Sequence, residues 1–171
     1  MDRRSVLLAL AGVVSTAPMV AAQPLMRTSP DQFRLAELMG GEFAILTSRL
    51  ALERSRNPNV RNFAQLEINE QTAVAAALGA TPGGVPPRPD QMAIVQQLQS
   101  MAPGRQFDRA YVEGQIAGHE ELLALNTAYA QGGADDRGRA VATVAVPSIQ
   151  THLSILSNLC LLYTSPSPRD S

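Results

Sequence analysis

At 171 residues, with 45% apolar and 17% charged side chains, the chain has material for one domain with a buried core. A net charge of −1 and an aromatic content of 4% without Trp exclude a nucleic-acid partner held by bulk charge or by a stacking platform. All 14 basic residues are Arg and the one cysteine is Cys160, which excludes lysine Schiff-base and phosphate-loop chemistry, an intrachain disulfide and any cysteine-built zinc or iron–sulfur site.

The chain starts Met1-Asp2-Arg3-Arg4, runs apolar from Ser5 to Val20 and reaches Ala21-Ala22-Gln23. A charged head, an apolar run and small residues at a cleavage point make residues 1–22 a signal peptide, cut before Gln23. The alternative is an uncleaved anchor, against which the short run and Pro18 argue. No Cys follows the cut, so the chain is not a lipoprotein, and no membrane span is expected once the leader is gone. Localisation is then periplasmic, by the general export route or, on Arg3-Arg4, the twin-arginine route.

Helical periodicity dominates the rest, residues 23–159. Ser29 as N-cap with Pro30 behind it opens a first helix that runs to about Ser55. Asn57-Pro58 repeats the signal for a second, ending near Leu78-Gly79; the short gap makes the two an antiparallel hairpin. A Gly/Pro-rich stretch from Gly79 to Pro89 is a loop, and Asp90 caps a short helix to about Met101. A third long helix runs from about Gln106 to Gln131, and Asp135 or Asp136 caps a fourth that reaches at least Leu159, with a kink expected at Pro147. Two hairpins joined by a long crossover that carries a short extra helix define an all-α, ferritin-like four-helix bundle; an up-down-up-down bundle is the alternative.

At Cys160 the composition changes abruptly. Cys-Leu-Leu-Tyr-Thr-Ser-Pro-Ser-Pro-Arg-Asp, residues 160–170, resembles a translated sequencing adapter. Residues 160–171 are therefore read as a non-native tail; the alternative is a genuine Ser/Pro tail.

Winding each long helix at about 100° per residue gives four apolar stripes. They are Leu35, Leu38, Met39, Leu46 and Leu50; Val60, Phe63, Ala64, Val74 and Leu78; Val112, Ile116, Leu122 and Leu123; and Val141, Ala145, Ile149, Ile155, Leu156 and Leu159. Polar residues interrupt them in mid-helix. Glu42 lies in the first, Glu67 and Gln71 in the second, His119 with Gln115 one turn before it in the third, and His152 in the fourth. A buried carboxylate is costly unless it is paired or bound to a metal. Glu42, Glu67, Gln71, His119 and His152 converging at one level would make a nitrogen/oxygen site suited to Zn, Fe, Mn or Cu. The alternative is a metal-free polar layer, His bonded to Glu, that fixes helix register. Gly40-Gly41 beside Glu42 is read either as a close backbone approach or as a tolerated kink in the helix. His119-Glu120-Glu121-Leu122-Leu123 begins like a zinc-protease motif but has Leu123 where the second His is required.

Val60-Arg-Asn-Phe-Ala64, Phe107-Asp-Arg-Ala-Tyr-Val112, Pro147-Ser-Ile-Gln-Thr-His-Leu153 and Gly40-Gly-Glu-Phe43 resemble the bacterial domain-of-unknown-function 4142 family over roughly residues 30–159. The resemblance implies export and a ferritin-like four-helix bundle, with His119 and His152 where the family carries His on its last two long helices. Where the family places an Asp-His pair on the second helix, this chain has Glu70-Gln71. The family brings no established activity. No helix carries the Glu-x-x-His of di-iron bundles. The reading favoured is a non-enzymatic periplasmic binding or envelope-stress module with a Glu/His metal site in its core, working with a second copy or an envelope protein. A ferritin-like metal-dependent redox enzyme is the alternative.

Overall fold

The computed structural model describes residues 28–164, so the leader (1–22) and the last seven residues of the tail lie outside the described residues. Those residues form five helices: α1 Pro30–Arg54, α2 Pro58–Ala77, α3 Pro89–Ser100, α4 Arg105–Gly132 and α5 Asp136–Thr164.

Local chemistry sets the boundaries. Ser29 Oγ accepts from the Gln32 amide at 3.2 Å while Gln32 Oε1 accepts from the Ser29 amide at 3.0 Å, a reciprocal cap ahead of Pro30. Asn57 Oδ1 accepts from the Asn59 amide at 2.9 Å, a one-way cap of α2 that also stands ahead of a proline. At the other end of α2, Gly79 turns left-handed (φ 71°), and the amides of Gly79 and Ala80 return to the carbonyls of Ala76 and Ala75. Asp135 is the cap of α5, accepting from the Gly138 amide at 2.7 Å. The short helix begins two residues earlier than the sequence suggests: Arg88, not Asp90, is its N-cap and Pro89 its first residue. Asp90 instead pairs with the Arg88 side chain, which also reaches Glu121 of α4.

Contacts across the bundle fix its topology. Arg34 meets Leu78 and Gly41 meets Gln71, so α1 and α2 are antiparallel. Glu37 meets Asn126 and Ser48 meets Tyr111, so α1 and α4 are antiparallel. Glu70 meets Ser148 and Asn57 meets Tyr163, so α2 and α5 are antiparallel, as are α4 and α5. Helices α2 and α4 therefore point the same way, and the crossover must carry the chain back along the whole bundle. That is the ferritin-like arrangement, not up-down-up-down. Helix α3 lies in the crossover and packs on α1 and α4.

This packing corrects the first apolar stripe. With α2, α3 and α4 on three sides, α1 buries Phe33, Glu37, Gly40, Gly41, Ala44, Ser48 and Ala51. Leu35 is half exposed, and Leu46 and Leu50 are only partly buried. The glycine pair does permit close approach: a Cβ at Gly40 would stand 2.9 Å from Leu122 Cδ2, and one at Gly41 2.9 Å from Gln71 Oε1. On α5, Ile155 falls on the outer face.

Helix α5 runs through Pro147 without interruption and continues five residues past Leu159. Tyr163 accepts from Asn57 Nδ2 at 2.6 Å and donates to Asp108 Oδ2 at 3.2 Å, so part of the tail packs on the bundle. Its Leu-Leu-Tyr segment prolongs the helix on which Leu156 and Leu159 are buried. By length and composition α5 would also suffice to cross a membrane (mean hydropathy 1.2), but it packs on α2 and α4 and buries His152 in the bundle.

The core has an apolar cluster at each end. Phe63, Phe107, Tyr111, Leu156 and Leu159 fill one, and Phe33, Leu78 and Tyr129 the other, the Phe33 and Tyr129 rings stacked at 3.9 Å. Between them lies a layer of buried polar side chains, against a smaller patch of Leu122, Ala145 and Ile149.

Candidate metal centre

Glu67 sits on the inward line of α2, between Ala64 and Gln71. His119 sits on that of α4, between Gln115 and Leu122, and His152 on that of α5, between Ile149 and Leu156. At 0%, 2% and 3% exposure, all three are removed from water. Their polar atoms converge. His152 Nδ1 lies 2.7 Å from Glu67 Oε1, His119 Nε2 lies 3.2 Å from the same oxygen, and the two ring nitrogens are 3.2 Å apart. One potential ligand atom from each residue falls within 4.8 Å of the others. Phe63 covers both imidazoles, its ring centre 5.4 Å from that of His152 and 6.0 Å from that of His119.

The far nitrogens are anchored. His119 Nδ1 is 2.8 Å from the Gln115 carbonyl oxygen, which can only accept, so the hydrogen is on Nδ1. Nε2 therefore faces the centre, where it donates to Glu67 Oε1 when it carries a proton and would offer a lone pair to a metal ion once that proton is lost. His152 Nε2 is 3.3 Å from Glu70 Oε2, and Glu70 Oε1 accepts from Ser148 Oγ at 2.8 Å. Burial works to raise the Glu67 carboxyl, but the hydrogen bonds and positive charge of His119 and His152 override it and bring it down to about 2. Burial likewise works to lower His152, and the bond to Glu67 with the charges of Glu67 and Glu70 raises it. Glu67 Oε2 is buried with no hydrogen-bond partner.

Of the five residues singled out in the sequence, three meet. Glu42 does not join them: its Oε2 accepts from the Gly83 amide at 2.7 Å and so holds the crossover loop. The wheel put Glu42 in the first stripe, but α1 is wrapped on three sides and has more than one buried face. Gln71 is buried one turn beyond Glu67 on α2, with its Oε1 unpartnered, against Gly41. Glu70 joins the site although no stripe contains it. Its spacing is the signal that would have found it, since residues three apart share a helix face and Glu67-x-x-Glu70 puts two carboxylates on one turn. The Gln115 carbonyl is main chain and leaves no mark in the sequence. A second buried pair was also missed: Asn126 Nδ2 donates to Glu37 Oε2 at 2.8 Å.

The family described as "Domain of unknown function (DUF4142)" matches residues 15–159. The chain belongs to this family. No curated protein matches it. Two solved structures are similar to this DUF4142 chain in fold. A DUF305 protein from Streptomyces coelicolor is 14% identical with a TM-score of 0.65, over 81% of this chain and 94% of that one. A DUF305 fragment from Deinococcus radiodurans is 18% identical with a TM-score of 0.60, over 79% and 98%. At these identities the likeness is one of helical architecture.

Proposed function

We propose that this DUF4142 chain is an exported binding module of the cell envelope whose bundle core holds one divalent transition-metal ion through Glu67 Oε1, His119 Nε2 and His152 Nδ1. The observation that carries the reading is the anchoring of both imidazoles from behind, by the Gln115 carbonyl and by Glu70. Metal-ligating histidines almost always donate their other N–H to a carbonyl or carboxylate, which fixes the ring and raises its basicity. Spacing supports it. An ion about 2.0–2.1 Å from tetrahedral ligands holds them about 3.3 Å apart. Two of the three separations are already 3.2 Å, and only the 2.7 Å contact between Glu67 and His152 has to open. Two imidazoles and one carboxylate suit Zn, Fe, Mn or Cu. Export rests on the leader read in the first 22 residues.

The donor set favours a second reading. Two His and one carboxylate with open positions is also the ligand set of mononuclear non-haem iron oxygenases, which would make the protein a redox enzyme. The near-complete burial of all three side chains leaves no room for an organic substrate beside the ion, so binding is preferred.

The test is metal analysis of protein purified from the periplasm, beside Glu67→Ala and His119→Ala. About one equivalent in the parent and loss of it in both variants is the expected result. Less than a tenth of an equivalent, with folding unchanged in chelator, would sink both readings. Turnover that depends on oxygen in iron-loaded protein would select the enzyme.

A further inference from the structure

A cavity of about 10 Å³ lies between α1, α2 and the crossover loop, lined among others by Glu37, Glu42, Gln71, Ile45 and Gly83. That volume is about one water-sized sphere. Its polar walls are rich in acceptors. Glu42 uses Oε2 on the Gly83 amide, Glu37 is turned to Asn126, and Gln71, 5% exposed, has no donor on Oε1. One helical turn back on the same face of α2 is Glu67, whose Oε2 is also unpartnered. Two orphan oxygens in sequence from cavity to metal centre are costly to bury unless something positive visits them. The roof is Thr81-Pro82-Gly83, all exposed, with Gly83 left-handed at φ 83° and tied down through its amide to Glu42.

We propose that this cavity is the loading port of the metal centre: a divalent cation is taken up by the Glu42 carboxylate and the Gln71 amide oxygen, then passed to Glu67. The inference rests on the metal reading above. Glu42 and Gln71 are not ligands of the final site; they act on the rate of filling. Gly41 is part of the port, because a Cβ there would stand 2.9 Å from Gln71 Oε1 and push it aside. Among its mostly apolar lining the charged side chains are the two carboxylates Glu37 and Glu42, and no basic side chain opposes a cation.

The probe is Co²⁺ alone, whose visible absorption reports a nitrogen/oxygen site, mixed with metal-free protein in a stopped-flow instrument. Glu42→Gln keeps an oxygen for the Gly83 amide and removes the charge; Gln71→Leu removes the oxygen at similar volume. Both are expected to load at least tenfold more slowly than the parent, with dissociation constants within threefold of it, since entry and exit slow together. Parent-like loading rates in both variants would overturn the port, as would affinity lost in proportion to rate, which would make the two residues ligands. If Gln71→Leu does not fold, Glu42→Gln decides alone. A parent that develops no Co²⁺ absorption, like His119→Ala, would refute the metal reading and the port with it; a parent that binds Co²⁺ while the variants load normally refutes the port only.

Discussion

Replacing Glu37 by Gln is expected to stabilise the protein above neutral pH and to leave it unchanged in mild acid. Glu37 is 2% exposed, and burial raises its carboxyl from 4.5 to about 7 against the smaller opposite pull of the Asn126 amide. An acid whose folded value is raised holds its proton more tightly in the folded state. Below 4.5 both states are protonated and nothing is lost; as pH rises from 4.5 to 7 the unfolded chain ionises first, and stability falls. At about 1.4 kcal/mol per unit, the loss is a little over 3 kcal/mol at pH 8. Asn126 Oδ1, buried and unpartnered beside Glu37, is the acceptor that a protonated Glu37 or a Gln amide would satisfy. The chain has no Trp, so urea unfolding is best followed by far-ultraviolet circular dichroism, for parent and Glu37→Gln, between about pH 4.5 and 8.5. The difference between the two proteins removes other titrating groups, His152 among them. It should be near zero at the acid end and favour the variant by about 1–3 kcal/mol at pH 8. A variant less stable than the parent at pH 8, or a difference that does not change with pH, would show that Glu37 is ionised and well paired, and the reasoning would fail.

Glu67 behaves oppositely: its carboxyl is held down to about 2, so the stability it confers is present above 4.5 and drains away as pH falls towards 2; Glu67→Gln should flatten that acid limb in a circular-dichroism titration and cost about 3–5 kcal/mol at neutral pH in metal-free protein. Gly40→Val should destabilise by about 1–3 kcal/mol in urea unfolding, because its Cβ would meet Leu122 in a filled interior; a neutral result would mean that α1 and α4 are loosely packed there. A chain ending at Leu159 should fold, losing about 1–2 kcal/mol for the two hydrogen bonds of Tyr163 and keeping the positions of Glu67, His119 and His152; failure to fold would show that residues 160–164 belong to the domain.

Helix boundaries and topology were legible because local chemistry writes them: Ser29 and Asn57 ahead of Pro, Gly79 after an alanine-rich turn, and a connection too long for adjacent helices. Glu67, His119 and His152 were legible because α2, α4 and α5 each bury an inward line, and a polar residue at its centre must meet its counterparts. Glu42 was not, because α1 is buried on several faces and a single stripe cannot say which neighbour a side chain meets. Glu70 was hidden by its partial exposure, and the Gln115 carbonyl by being main chain.

Glu70 is where a metal centre and a register-fixing polar layer part company. Its carboxylate is oriented by Ser148 and holds His152 Nε2 at 3.3 Å, on the side of the ring away from Glu67. If the layer only fixes register, Glu70 is a partly exposed partner of small worth, and its removal changes little. If the layer holds an ion, Glu70 is a positioning residue that fixes the ring and its basicity, and losing such a partner costs about 10–100-fold in metal affinity. Glu70→Ala should therefore raise the Co²⁺ dissociation constant by that factor while leaving the shape of the visible spectrum unchanged, since the ligands stay the same, and Glu70→Gln should recover part of the loss. A changed spectrum would make Glu70 a ligand itself. An unchanged dissociation constant would mean that nothing in the centre depends on how His152 is held, and the anchoring that carries the metal reading would lose its force.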